Sequence, residues 1–408
     1  MKVAIVSKSD RLGGGASRVA EDLALGLNEL GYKTDHFISY SNKEPYSFQK
    51  SLYGEKLAEQ ICKKTHFLTN KFGFRELLPV EYWFNLRKYI SSYDIVHFHD
   101  LFSSISPITM SLVSNSKPTF FTVHDYSAFT GGCLYPSGCD KFADHCYQCP
   151  QLSQIGWKNQ FRDRTKEVQS IKRWVSNKSS VQYIFPSLSI AQEAQKSLTY
   201  KLPPQVIYHG IDLSIFSSSK SRAKSELNIP EDRQVVVVTA HFLQDARKGV
   251  NYAISALQSV RELNPLVLLI GFANEQVRQS LVGLDVREMG FISNPEALAQ
   301  AYLASDIMLF CSLEEIFGLT VLEAMAASTV VIGFKTGGVP EMIQTEINGI
   351  LVEQRDQESL NQSLRRMLEY GNLRGMGQRA RIDVENKFSK SQFLNNHLKA
   401  YEAALLKK

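Results

Sequence analysis

At 408 residues the chain exceeds what one ordinary hydrophobic core supports and fits two α/β domains of about 200 residues each. Lys and Arg outnumber Asp and Glu by 46 to 41, and the net charge of +5 is too mild to point to nucleic acid. No uninterrupted apolar run approaches the ~18 residues of a membrane span, and the opening Met1-Lys-Val-Ala-Ile-Val6 reads as a strand rather than an export signal, so a cytoplasmic protein is expected.

Short apolar runs alternate with longer stretches of helical period, the pattern of parallel sheets covered on both faces. The first series predicts strands at Val3 to Val6, Thr34 to Ile38, Asp94 to Phe98, Pro118 to Val123 and Val181 to Phe185. After the first of them, Leu12-Gly-Gly-Gly-Ala16 opens a helix whose small residues let a ligand reach bare backbone N–H groups, with Gly14 and Gly15 as the candidates. A dinucleotide fingerprint needs a third small residue at position 18; Arg18 stands there, which argues against a nicotinamide cofactor. A tight turn without a ligand is the alternative for this loop.

Between Gln49 and Ser92 the chain is rich in Lys, Arg and aromatic residues, as in Lys63-Lys64, Lys71-Phe-Gly-Phe-Arg75 and Tyr82-Trp-Phe-Asn-Leu-Arg-Lys-Tyr89. Such a surface suits anionic lipid at a membrane face, and it equally suits a solvated helix over a buried aromatic edge. His97 alternates with Val96 and Phe98 and reads as a satisfied structural histidine, whereas His124 ends a strand, where an imidazole can hydrogen-bond a ligand hydroxyl. Four cysteines follow as Cys133-x5-Cys139-x6-Cys146-x2-Cys149. Their spacing fits a structural zinc site, with packing thiols and disulfides as the other readings. Cys62 and Cys311 read as core residues. Lys201-Leu-Pro-Pro204 marks the join, because prolines lack the N–H that a sheet interior needs, giving domains at 1–204 and 205–388 and a terminal helix from Ser389.

The second series predicts strands at Gln234 to Thr239, Leu266 to Gly271, Val286 to Gly290, Asp306 to Cys311 and Val330 to Phe334. Arg247-Lys248-Gly249 precedes a helix and offers two cations to a diphosphate, with a solvated pair as the plainer reading for Arg247. The run Glu315-Ile-Phe-Gly-Leu-Thr-Val-Leu-Glu323, followed by Thr336-Gly-Gly-Val-Pro-Glu341, carries the most information. A turn at Phe317-Gly318 leads into a helix from Leu319, whose first N–H groups, at Leu319 and Thr320, suit a diphosphate. Glu323 lies four residues on, roughly 6 Å along the axis, where it reaches a ribose, and Glu315 stands before the helix for sugar hydroxyls.

This run is similar to the E-x7-E signature of retaining glycosyltransferases of family 4, including its Phe-Gly, its Glu-Ala-Met-Ala and the later Gly-Gly-Val-Pro-Glu containing Gly338. Asp94-Ile-Val-His-Phe-His-Asp100, Thr122-Val-His-Asp125, Pro186-Ser187, Tyr208-His-Gly-Ile-Asp212 and Arg247-Lys-Gly249 extend the resemblance along most of the chain. Within the family, His124-Asp-Tyr-Ser-Ala-Phe-Thr-Gly-Gly-Cys133 with Cys146-Tyr-Gln-Cys-Pro150 resembles the colanic-acid type of surface-polysaccharide transferase. The resemblance implies an α/β GT-B fold of two Rossmann-like parallel-sheet domains facing across a cleft, with the last helix crossing back to the first domain. It further implies transfer from a nucleoside diphosphate sugar to a saccharide acceptor, lipid-linked by analogy, with retained configuration and no catalytic metal. His124, Glu315, Lys248 and Arg247 take the catalytic places; Gly14, Gly15, Glu323, Phe317, Gly318, Leu319, Thr320, His241 and Gly338 take the donor-binding ones. Two departures stand out: His241 occupies the place where many members carry a phosphate-binding Arg, and His209 the place of a more usual Asn. A nucleotide-sugar epimerase and a non-catalytic nucleotide-sugar-binding module are the alternatives on the same architecture.

Overall fold

Runs such as Val235-Val-Val-Val238 and Ile307-Met-Leu-Phe310 have no polar face, so each must lie in a sheet covered on both sides. The computed structural model describes residues 1–41, 45–102, 104–152 and 162–407. It divides into two units, the first made of Met1–Tyr208 with Leu394–Lys408 and the second of His209–Phe393.

In the first unit β1 (Lys2–Ser9), β2 (Lys33–Tyr40), β3 (Gln49–Ser51), β4 (Ile95–His99), β5 (Thr119–Thr122), β6 (Val181–Phe185) and β7 (Gln205–Val206) form a sheet in the order β3-β2-β1-β4-β5-β6-β7. In the second, β8 (Val235–Phe242), β9 (Leu266–Phe272), β10 (Asp285–Gly290), β11 (Ile307–Phe310), β12 (Val330–Phe334) and β13 (Ile350–Val352) run β10-β9-β8-β11-β12-β13. Neighbouring strands pair in parallel in both sheets. Each order reverses once, between β1 and β4 and between β8 and β11, and an open sheet of this kind binds ligands outside the carboxyl ends of its strands at that point.

Each of the ten apolar runs read from the sequence forms a strand. The edge strands β3, β7 and β13 carry only two or three residues each, too few to give an apolar signal. One of them moves the expected join: Gln205–Val206 lies beyond the prolines at 203 and 204 and pairs with β6, so the first sheet ends after position 204. The two prolines directly precede an edge strand of the first unit rather than closing the unit.

The terminal helix Lys390–Leu406 belongs to the first unit from Leu394 onward. Gly26 is flat against it, since a Cβ there would fall 2.6 Å from Leu394 Cδ1. Tyr401 is fully buried, stacks edge to face on Phe120 at 5.0 Å and shares a 2.6 Å hydrogen bond with His97 Nδ1. His97 Nε2 meets Thr122 Oγ1 at 2.8 Å, so both ring nitrogens are satisfied, as its alternation with Val96 and Phe98 suggested. Among the described residues no helix is long and apolar enough to cross a membrane.

Candidate functional site

In the second unit the loops after β8 and β11 meet at the reversal of strand order. Gly249, at φ +59, turns the β8 loop so closely over the end of β11 that a Cβ would fall 2.0 Å from the Cys311 carbonyl oxygen. Leu313 N–H donates to the Arg247 carbonyl at 2.7 Å and ties the two loops together. Across this junction Lys248 Nζ lies 2.9 Å from Glu315 Oε2. The other Glu315 oxygen accepts from the N–H of Ile316 at 3.2 Å. Gly337, at φ +50, presses on the same loop, because a Cβ there would stand 1.9 Å from the Glu315 carbonyl oxygen, and Gly338 N–H donates to the Ile316 carbonyl at 3.1 Å. The basic and the acidic side chain picked from sequence thus meet on loops that close backbone contacts tie together.

Arg247 takes a different direction. Its guanidinium pairs with Asp245 Oδ2 at 2.6 Å within its own loop, and its N–H is capped by Asp245 Oδ1 at 3.0 Å. Gly318, at φ +99, caps the helix Leu319–Ala326 without a side-chain hydrogen bond, which leaves the first-turn N–H groups of Leu319 and Thr320 to other partners. Glu323 is 3% exposed, one turn into this helix. Phe317 is buried, with its ring 5.2 Å from His209 and 6.1 Å from Phe388, so only its backbone can serve a ligand. His241 is exposed and sits among Phe242, Phe272 and Phe291.

In the first unit Gly14, at φ +116, caps the helix Gly15–Glu29 without a side-chain hydrogen bond. Asp10 instead caps the preceding turn by accepting from Leu12 N–H at 3.1 Å. His124 lies two residues past the end of β5, and its Nε2 is 2.9 Å from His99 Nδ1. Burial, then the neighbouring His397, pushes the His124 imidazole down to about 3, so it meets a ligand as a neutral ring. Sequence reading missed its surroundings. Asp100 follows β4 at φ +46, rare for a residue with a side chain. Burial, then Asp125, raises its carboxyl to about 7, against the opposing pull of Lys8 and the Phe102 N–H. Lys172 Nζ reaches the Ser127 and Thr130 carbonyls at 2.6 and 3.1 Å, and burial lowers it to about 8. The His99-Asp100 pair at the end of an apolar strand was the available signal; Lys172, on a helix of ordinary composition, gave none.

Among the described residues, the four cysteines expected to hold zinc are not grouped for it. Cys133, Cys139, Cys146 and Cys149 line one cavity, but all six cysteines are free thiols and, among the described residues, no three His, Cys, Asp or Glu are grouped to hold a metal ion. Cys146 Sγ accepts from Gly131 N–H at 3.2 Å and Cys133 donates to Thr130 Oγ1 at 3.4 Å. Burial pushes the Cys133 thiol up to about 12, which keeps it protonated.

Residues 13–215 match the model of Glycosyltransferase Family 4, and residues 219–382 match that of Glycosyl transferases group 1. The chain is a glycosyltransferase. It is 23% identical to an uncharacterized glycosyltransferase of Methanocaldococcus jannaschii over 99% of both chains. Its fold matches sucrose-phosphate synthase from Thermosynechococcus elongatus with a TM-score of 0.75 and 19% identity, over all of both chains. HepE from Anabaena, in complex with UDP-glucose, matches with a TM-score of 0.66 and 16% identity, over 99% of this chain and 100% of the other. The fold of this glycosyltransferase is therefore GT-B. In its second unit, a lysine, a helix N-terminus and two carboxylates stand at the carboxyl ends of a parallel sheet; its first unit offers a neutral histidine at the equivalent edge of its own sheet.

Proposed function

We propose that this glycosyltransferase moves a hexosyl group from a nucleoside diphosphate sugar to an acceptor hydroxyl, with retained configuration, in surface-polysaccharide assembly. The 2.9 Å contact of Lys248 with Glu315 carries the reading. A lysine and a carboxylate that neutralise each other at the strand-order reversal are positioned to exchange partners when a donor enters: the lysine for phosphate, the carboxylate for sugar hydroxyls. The first-turn N–H groups of Leu319 and Thr320 add dipole stabilisation to the phosphates, and Glu323 takes ribose hydroxyls. The Phe317-Gly318 backbone supports the sugar.

The bond from the anomeric carbon to the diphosphate oxygen breaks, and its electron pair leaves with the diphosphate. Charge builds on that oxygen in the transition state, where Lys248 stabilises it more than in the ground state. The acceptor oxygen bonds to the same face of the carbon, and its proton passes to the departing diphosphate. His124, neutral at the carboxyl edge of the first sheet, is the first unit's candidate for hydrogen-bonding a sugar hydroxyl. The HepE complex with UDP-glucose makes UDP-glucose the first donor to try. The likeness of Cys133 to Cys149 and its flanks to colanic-acid-type transferases supports a polysaccharide acceptor.

The acceptor in this reading is lipid-linked, and the protein rests on an anionic membrane face. The outer side of the helix Lys56–Lys71 supports this, because Leu57, Ile61, Phe67 and Leu68 are exposed among Lys56, Lys63 and Lys64. Beyond it Trp83, Phe84 and Tyr89 are exposed beside Arg87 and Lys88, with the Arg87 guanidinium 5.3 Å from the Trp83 ring centre. Apolar side chains rimmed by cations suit the interface of an anionic bilayer.

The test is incubation of the full chain with a panel of nucleoside diphosphate sugars and saccharide acceptors, with products read by proton NMR. Transfer to acceptor with the donor's anomeric configuration is expected. Inverted product refutes retention, and conversion of donor sugar without acceptor favours an epimerase.

A further inference from the structure

The carboxyl ends of β8, β9 and β10 carry an aromatic group that core packing does not explain. Phe242 closes β8, Phe272 closes β9, and Phe291 follows the last residue of β10. Their rings are 50%, 48% and 45% exposed. Burying a Phe side chain is favourable by ~1.5–3 kcal/mol, so three neighbouring rings left half open form a surface that a ligand can complete.

Their mutual geometry is ordered. Phe272 and Phe291 stack with centroids 5.5 Å apart and planes 16° from parallel, and Phe242 lies 5.8 Å from Phe272 at 32°. The His241 ring stands edge-on to all three, at 4.4 Å from Phe242, 4.7 Å from Phe291 and 5.6 Å from Phe272. Gly271 makes the close approach possible: at φ +131 its α-carbon faces the Ala240 carbonyl oxygen, where a Cβ would fall 1.7 Å away. That draws the end of β9 against the His241-Phe242 end of β8.

The same sheet edge carries Lys248 and Glu315, on the loops after β8 and β11. Moving from β8 through β9 to β10 covers two strand spacings, ~10 Å, in the direction away from Glu315. We propose that Phe272 and Phe291, flanked by Phe242 and His241, form the platform on which the base of the donor nucleotide stacks. This rests on the donor reading above, with the diphosphate at Lys248 and the sugar at Glu315. Every nucleobase has a π face, and stacking on aromatic side chains binds bases with little regard to sequence. Stacking on phenyl rings contributes affinity and little selectivity between uracil, guanine and adenine. His241 then serves the base rather than replacing a phosphate-binding arginine.

Calorimetry on the full chain tests this with UDP, GDP and ADP, and with inorganic pyrophosphate as a probe lacking a base. Phe272→Ala and Phe291→Ala are expected to weaken roughly tenfold every nucleotide the wild type binds, with pyrophosphate binding and the unliganded melting temperature unchanged. Phe291→Trp is expected to preserve nucleotide affinity. Wild-type nucleotide affinity in both alanine variants overturns the platform while leaving the donor reading standing, and so does an equal loss for nucleotide and pyrophosphate. A wild-type protein that binds none of the three nucleotides overturns the donor reading and the platform with it.

Discussion

Arg247 and Lys248 are adjacent in sequence and carry the same charge, yet they point to different carboxylates. Asp245 holds Arg247 inside its own loop at 2.6 Å, whereas Lys248 crosses the strand-order reversal to Glu315 at 2.9 Å. Lys248→Ala is therefore expected to lower the rate of donor consumption on the order of 100-fold, the usual loss for one preorganised charge-stabilising group. Arg247→Ala is expected to cost less than about tenfold, with steady-state kinetics as the measurement; the reverse order contradicts the assignment. These residues were legible because a Lys-Gly pair after an apolar run and a carboxylate before a helix both mark loop positions at the carboxyl edge. The His99 contact to His124 was not legible. It depends on β4 and β5 lying side by side with His99 opposite Thr122, a register that only the folded sheet sets. The grouping of the thiols was not legible either: Ser137, Gly138 and Gln148 between the cysteines adopt positive φ, which the cysteine spacing does not show.

At the level of elements, the terminal helix is held to the first sheet through buried imidazoles. Burial lowers the His97 ring well below its ordinary value, and the nearby His397 and His124 lower it further. Above pH ~6.5 this ring is neutral in folded and unfolded chains alike. As pH falls below that value the unfolded chain takes up a proton that the folded chain refuses, so stability is lost on acidification. Asp100, Asp125 and Glu76 act in the opposite sense, because burial raises all three. A comparison of two proteins that share them isolates the histidine. His97→Gln is expected to be less stable than wild type at pH 7.5, with the gap closing below pH ~6.5 by up to about 1.4 kcal/mol per pH unit. Urea unfolding at pH 7.5, 6 and 5 measures it, and a constant gap rejects the account. The helix itself was visible in the sequence from its composition. Its membership of the first unit came only from the family resemblance, since nothing local shows which sheet Tyr401 will meet.

For the whole molecule, alternating apolar runs and long helical stretches gave two parallel sheets, and the first unit continues past the paired prolines to Tyr208. The difference arose because β7 is a two-residue strand without an apolar signal. The exposed aromatics among the cations at 56–89 predict sedimentation with vesicles containing phosphatidylglycerol, weakened by salt as the electrostatic part is screened. A Phe67→Ser, Trp83→Ser double variant is expected to lose most of that binding without losing donor turnover. Equal sedimentation with pure phosphatidylcholine, or none with either lipid, rules out the anionic surface. The central claim is that an activated sugar is gripped by Lys248 and Glu315 and then transferred. It is tested most directly by following donor consumption and product by NMR across nucleoside diphosphate sugars, in the wild type and in Lys248→Ala and Glu315→Ala. The account predicts acceptor-dependent transfer from at least one donor, strongly reduced in both variants; wild-type turnover in either variant, or no donor consumed by the wild type, contradicts it.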